Sequence, residues 1–236
     1  CDMKVVIVGG VAGGASCATR LRRLDESAEI IILERGDDVS YANCGLPYFV
    51  GGKIEKQESL TVASPGFLRA RFNIDVRVRS EAVAIDAAAK TVRVREVGGR
   101  EYDESYDALV LAPGAAAKTF GQSGKGVFTL RDVKDAVGLK SFILRNGVTN
   151  ALVAGGGFIG VETAENLVRL GLDVTLAEFA PQVLPPLDPE MAVILSDELA
   201  KNGVKVRTST GVGSVKECEG GLEVAFSDGS KGVFGI

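Results

Sequence analysis

The stretch Lys4-Val5-Val6-Ile7-Val8-Gly9-Gly10-Val11-Ala12-Gly13-Gly14 decides the fold. It begins with a β-branched apolar run that predicts a short buried strand, and the segment Ala15–Leu24 beyond the glycines predicts a helix. A second apolar run, Glu29–Leu33, ends at Glu34. That is about 20 residues past the glycines, where a dinucleotide-binding βαβ unit places the carboxylate that accepts from a ribose hydroxyl. The helix N-terminus adds free N–H groups and a positive dipole suited to a pyrophosphate. Gly9, Val11, Ala12, Gly13, Gly14 and Glu34 are therefore the candidate nucleotide contacts of this half. Val11 stands where the middle glycine of G-x-G-x-x-G lets a phosphate approach the backbone, so this loop is expected to differ slightly in geometry. An ordinary βα turn that needs only positive backbone angles is the plainer alternative, and it leaves the placement of Glu34 unexplained.

The same grammar returns later. Ala151–Ala154 reads as a strand, Gly155-Gly156-Gly157-Phe158-Ile159-Gly160 as a glycine loop with all three glycines, the residues to about Leu170 as a helix, and Asp173–Ala177 as a second strand ending at Glu178. Two such signatures predict two dinucleotides held by one polypeptide, and the economical pair is a flavin with a nicotinamide. Glu178 accepts from a free 2'-hydroxyl and repels a 2'-phosphate, which favours NADH over NADPH. Short strands are expected at Val76–Val78, Ala82–Ile85, Thr91–Val97 and Tyr106–Leu111, and Ala112-Pro113-Gly114 is either a backbone approach to a ligand or a plain turn. A helix from Asp188-Pro189-Glu190 to about Asn202, strands at Val204–Arg207 and Leu222–Phe226, and a hairpin turn at Ser227–Ser230 complete the reading. The predicted architecture is α/β, with two Rossmann-like dinucleotide-binding domains, 1–116 and 117–236, and small antiparallel β layers.

Composition narrows the chemistry. The chain has 236 residues, 46% hydrophobic and 25% charged, with 30 glycines and a net charge of −4, so it fits a globular α/β protein and gives no general field for nucleic acid or an anionic membrane. Apolar runs are too short for a membrane span, and no leader pattern opens the chain, so a cytoplasmic setting is expected. The absence of histidine removes the usual general base and excludes a hydrolytic triad of the Ser-His or Cys-His kind. Cys1, Cys17, Cys44 and Cys218 lack C-x-x-C spacing, so no metal site or disulfide framework is expected. Cys17, among small residues of the first helix, is expected to pack against the sheet.

Cys44 lies in Ser40-Tyr41-Ala42-Asn43-Cys44-Gly45-Leu46-Pro47-Tyr48, a loop or helix start, which is a candidate position for a nucleophilic cysteine; a buried structural cysteine is the alternative from the residues alone. This stretch, together with Gly9–Ser16, Glu34-Arg35 and the Gly155 loop, resembles the coenzyme A disulfide reductases of the pyridine nucleotide-disulfide oxidoreductase superfamily, over nearly the whole chain. The resemblance implies FAD and NADH (or NADPH) as cofactors and Cys44 as the lone redox cysteine, which forms a mixed disulfide with coenzyme A that is then reduced by electrons from NADH by way of FAD. No second cysteine lies within several residues of Cys44, so the two-cysteine mechanism of glutathione reductase does not apply.

By matching position, the resemblance implies coenzyme A contacts at Ser16, Arg20, Arg23, Ser40 and Asn43, with Arg71 a further phosphate candidate. Arg20 and Arg23, three apart, share a helix face that suits two phosphates or is simply solvated. Further cofactor contacts are assigned to Arg35, Val83, Ala112, Pro113, Gly114, Arg131, Gly155, Gly156, Gly157, Ile159, Gly160 and Glu178. Phe158 takes the place of an aromatic that gates nicotinamide access, with core packing as its rival; Glu162 either meets the nicotinamide ribose or caps its helix. The resemblance also implies a homodimer, a later flavin-binding segment and a dimerisation domain. The latter two do not fall within these residues, so the reading is of a shortened chain. Persulfide or polysulfide reduction, NADH oxidation by oxygen, and a nucleotide-binding piece without turnover are the competing functions.

Overall fold

The computed structural model describes residues 3–119 and 121–236. Cys1 lies outside them. The chain forms two compact units, one from the described residues of Cys1–Ala42 with Thr61–Ala116, the other from Asn43–Leu60 with Ala117–Ile236.

The first unit opens with β1 (Lys4–Val8), α1 (Ala12–Leu24) and β2 (Glu29–Leu33). The chain then joins the second unit for a 3-10 turn at Asn43–Gly45, the short helix α2 (Leu46–Val50) and a 3-10 turn at Gln57–Leu60. It returns with α3 (Pro65–Phe72), β3 (Asp75–Arg77), β4 (Ser80–Asp86), β5 (Thr91–Glu96), β6 (Glu101–Ser105) and β7 (Ala108–Leu111). A parallel sheet runs in the order β3-β2-β1-β7, and β4, β5 and β6 form an antiparallel sheet. Strand periodicity explains the layering. Val5, Ile7, Ile30 and Ile32 point to one face and pack with Ala18 of α1, Leu68 of α3 and the half-buried Cys17. Val6, Ile31 and Leu33 point to the other and pack on Val92 and Val94 of β5. Burying each such side chain stabilises by roughly 1.5–3 kcal/mol, so this two-sided β1–β2 pair is the centre of the unit.

The second unit adds α4 (Val133–Asn146), β8 (Asn150–Ala154), α5 (Phe158–Arg169), β9 (Asp173–Ala177), α6 (Pro189–Lys201), β10 (Val204–Arg207), β11 (Val212–Cys218), β12 (Gly221–Phe226) and β13 (Lys231–Phe234). Its parallel sheet is β10-β9-β8, and its antiparallel layer is β11-β12-β13. Ala177, Val224, Phe226 and Phe234 are buried together between the two, with Leu152 against them. Among the described residues no helix is long and apolar enough to cross a membrane.

The α/β architecture with two Rossmann-type units and antiparallel layers is as expected, with local differences. α1 begins at Ala12, directly on the glycine loop, and the strand expected from Tyr106 begins at Ala108. β6, β11, β13, α3 and α4 carry no clear pattern in the sequence. β6 reads Glu-Tyr-Asp-Glu-Ser because it is an edge strand, held through cross-strand pairs of Arg93 with Asp103 and Arg95 with Glu101. Arg22 closes α1: its guanidinium donates to the carbonyls of Asp25, Glu26, Ala28, Phe72 and Asn73, joining the ends of α1 and α3.

Glu104 of β6 binds both Lys4 of β1 and Arg77 of β3, with its side chain 12% exposed. Burial opposes its charge, yet the hydrogen bonds from Lys4 and Arg77 outweigh this and hold its carboxyl below the ordinary value of 4.5. A carboxylate lowered in the native state stabilises above that ordinary value, and the stabilisation is lost as pH falls through the native value. Lys4 is raised by its hydrogen bond to Glu104, so its share persists at neutral pH and is lost only as pH climbs through its native value. Glu104→Gln is therefore expected to cost about 2 kcal/mol at neutral pH and to flatten the acid limb of stability, as read by urea unfolding across the acid range; an unchanged acid limb contradicts this.

Candidate nucleotide loops and thiol

The two glycine loops are closed by the same hydrogen bonds. In the first unit the N–H of Gly10 donates to Glu34 Oε2 (2.8 Å) and that of Gly36 to Oε1 (2.7 Å). In the second, the N–H of Gly156 donates to Glu178 Oε2 (2.5 Å) and that of Ala180 to Oε1 (2.7 Å). Each carboxylate thus ties its glycine turn to the strand end, and each oxygen keeps a lone pair for a further donor. The match continues along the backbone. Gly9 donates to Leu33 as Gly155 does to Ala177, Ser40 donates to Gly10 as Leu184 does to Gly156, and Glu34 donates to Arg77 as Glu178 does to Arg207. Ser40 and Leu184 share a φ of 45°, a left-handed conformation in non-glycine residues.

Glycine is required where each helix meets its loop. A side-chain carbon on Gly14 would stand 1.7 Å from the Gly9 carbonyl oxygen, and one on Gly160 would stand 1.9 Å from that of Gly155. Gly157 differs, since a carbon added there meets nothing within 4 Å and its backbone is extended, with φ −75° and ψ −178°. Its counterpart Val11 carries a side chain and has ψ −120°, so the two loops diverge at this residue, as expected from the missing glycine. Val11 and Gly157 are the N-caps of α1 and α5, neither helix has an acidic residue in its first turn, and neither cap makes a side-chain bond. By contrast, α3 and α4 are capped by Ser64 and Asp132. The first N–H groups of α1 and α5 are thus left for an outside anion, which is the chemistry a dinucleotide pyrophosphate requires.

Within the first unit Gly9, Gly13, Gly14, Glu34, Ala112 and Pro113 come together: a carbon on Gly9 would strike the Ala112 carbonyl oxygen at 2.1 Å with Pro113 N at 3.4 Å, and one on Gly13 would touch Ala112 Cβ at 3.5 Å. Ala12, Arg35 and Gly114 are exposed in the same unit. Val83 falls in the register shift between Ala82 and Ala84, a bulge that re-aims it away from the regular strand pattern. Ser16, Arg20 and Arg23 form an exposed stripe on α1, Arg71 is exposed on α3, and Ser40 is half-buried in the first unit. In the second unit Phe158 and Ile159, 62% and 53% exposed, open α5, and neither is packed in the core of this unit. Glu162 is half-buried one turn on, and the backbone N–H of Arg131, just before α4, donates to Asp135.

Cys44 is exposed in the Asn43–Gly45 turn of the second unit, at the start of α2 as the sequence predicted for a loop or helix start. Beside it, Asn43 Oδ1 is buried without a hydrogen-bond partner, an acceptor that a bound donor would satisfy. Cys17 packs half-buried against the first core, as expected, and Cys218 is exposed at the end of β11. The double duty of Glu34 and Glu178 escaped sequence reasoning. A signal for it exists in the offset of 144 that carries both Glu34 to Glu178 and Val39 to Val183: Val39 and Val183 each pack on the second residue of their own glycine loop, Gly10 or Gly156.

The coenzyme A disulfide reductase of Staphylococcus haemolyticus (strain JCSC1435) is 38% identical over 215 residues, which are 91% of this chain and 49% of that protein. Reduced CoADR-RHD of Bacillus anthracis is 43% identical with a TM-score of 0.94, covering 99% of this chain and 42% of that one. A NAD-dependent persulfide reductase from A. fulgidus is 35% identical with a TM-score of 0.93, covering 99% of this chain and 45% of that one. The chain therefore spans about half the length of these relatives. Residues 3–234 match the family described as pyridine nucleotide-disulphide oxidoreductase, and the chain belongs to that family.

Proposed function

We propose that this chain carries the catalytic half of an NADH-dependent, FAD-containing disulfide reductase whose redox thiol is Cys44 and whose acceptor is coenzyme A disulfide. The observation that carries the reading is an exposed thiol beside an unpartnered buried amide oxygen, in a chain with two carboxylate-closed glycine loops. The first unit is the flavin-binding one, with Gly9, Val11, Ala12, Gly13, Gly14, Glu34, Arg35, Val83 and Ala112–Gly114 toward FAD; the second takes NADH through Gly155–Gly160, Glu162 and Glu178, with Arg131 a further cofactor contact. When bound, FAD supplies a two-electron relay between nicotinamide and sulfur.

The chain's own residues then do the following. The Cys44 thiolate attacks one sulfur of the disulfide, forming a mixed disulfide and releasing the other half as a thiol after a proton is taken up. Two electrons from NADH break the mixed disulfide, regenerate Cys44 and release the second thiol, so that one disulfide, one NADH and one proton give two thiols and NAD+. Ser16, Arg20, Arg23 and Arg71 contribute hydroxyl and guanidinium donors to the coenzyme A phosphates, while Ser40 and Asn43 serve the substrate near the sulfur. Phe158, at the mouth of α5, gates the nicotinamide. Glu178 favours the free 2'-hydroxyl of NADH over NADPH. A thiol that must stay reduced suits a cytoplasmic setting, and the protein works as a homodimer. The likeness to a persulfide reductase supports a second acceptor class, persulfide or polysulfide.

Three expectations follow from this assignment. Steady-state NADH oxidation is fastest with coenzyme A disulfide as acceptor, ahead of polysulfide and oxygen, and Cys44→Ser lowers the disulfide rate by at least about a thousandfold; equal turnover by that variant sinks the thiol mechanism, and a colourless protein without turnover supports a nucleotide-binding piece only. Gly157→Ala leaves thermal stability nearly unchanged and weakens NADH binding about tenfold or more, measured by fluorescence titration, whereas undiminished binding would place the pyrophosphate elsewhere. Gly160→Ala, whose new carbon meets a carbonyl oxygen, lowers stability by about 3 kcal/mol, and a wild-type melting point for it argues against the packed loop.

A further inference from the structure

α2, the helix that follows Cys44, is gripped from two helices of its own unit. From α4, Lys140 Nζ donates to the Phe49 carbonyl (2.8 Å) and lies 4.2 Å from the centroid of the Phe49 ring. One ammonium thus makes a charge-assisted hydrogen bond to the end of α2 and a cation–π contact with the same residue. From α5, Asn166 is fully buried; its Nδ2 donates to the Glu162 carbonyl (2.8 Å) and its Oδ1 has no partner. Facing it is Gly51, the C-cap of α2, with a φ of −69° that any residue adopts. A side-chain carbon on Gly51 would nevertheless stand 2.5 Å from Asn166 Oδ1 and 2.8 Å from Asn166 Cβ. Glycine is therefore required at 51 by the neighbour and not by the backbone.

α5 is also the helix that opens on the Gly155–Gly160 loop, with Phe158 in its first turn. We propose that Lys140 is a positioning residue that, together with the close approach of Gly51 to Asn166, seats α2, and with it the Cys44 turn, on α4 and α5. The presentation of the thiol is then set by α4 and α5. This rests on the reading of Cys44 as the redox thiol. Small misplacement of a reacting group is costly, about a hundredfold for 1 Å, so a grip of this kind acts on rate more than on substrate affinity.

The test uses the full 236-residue chain with alkylation by iodoacetamide, resolved cysteine by cysteine by mass spectrometry across pH, and amide exchange along α2. Lys140→Met keeps the apolar stem and removes the ammonium. It is expected to raise both the alkylation rate of Cys44 and the exchange of the Gly51 and Gly52 amides by about tenfold, with Cys218 unchanged and the melting point lowered by only a few degrees, while Lys140→Arg restores both. Gly51→Ala is expected to do the same, and Asn166→Ala added to it to return most of the change, because it removes the atoms the new carbon meets. Cys44 alkylation and α2 exchange unmoved by Lys140→Met, or changes at Cys44 matched at Cys218, overturn the proposal; if Gly51→Ala does not fold, the Lys140 pair decides alone. Should Cys44→Ser retain full disulfide turnover, the redox reading falls while the alkylation and exchange results still decide the seating of α2.

Discussion

Each nucleotide loop depends on one carboxylate that accepts from two backbone N–H groups. A glycine turn between strand and helix has little side chain with which to define itself, and its backbone is free to take many shapes. Glu34 and Glu178 remove that freedom by bonding the second residue of the turn with one oxygen and the second residue beyond themselves with the other. The turn is then fixed against the end of the neighbouring strand, the helix starts at once, and its first N–H groups meet no side-chain cap. A group usually regarded as a ribose acceptor is therefore also the clasp of the loop, and its removal costs structure as well as affinity.

The equivalence of the two units runs deeper than the motif. The same donors meet the same acceptors, and the same non-glycine residues take left-handed angles, at Ser40 and Leu184 and again at Arg79 and Ser209. Where the units differ, the difference is chemically pointed. Val11 replaces an open glycine in the first loop, and the second unit alone carries the α4–α2–α5 arrangement that presents a thiol.

Much of this was legible from residues alone because β1, β2 and β9 are largely buried apolar runs, β8 is a short apolar one, and the glycine loops carry their own spacing. β6 was not, since an edge strand with alternating charge looks like a loop until its partner β5 is known. α4 was missed for a related reason: its Asp132 cap is clear only once the helix is seen, and Lys134, Lys140 and Arg145 dilute its apolar stripe. Among the candidate site residues, the motif placed the glycines and carboxylates in one sequence neighbourhood, and the contacts of Ala112 with the first loop required the fold. Gly51 was illegible in principle, because what forbids a side chain there is Asn166, 115 residues away.

The central claim is that one chain holds two separate dinucleotide sites built to the same plan, one for a flavin and one for a nicotinamide. Calorimetric titration of the protein first with FAD and then with NADH under anaerobic conditions tests it most directly. The account predicts one equivalent of each, with NADH binding to the flavin-loaded protein without displacing the flavin. Competition of the two nucleotides for a single equivalent would contradict it.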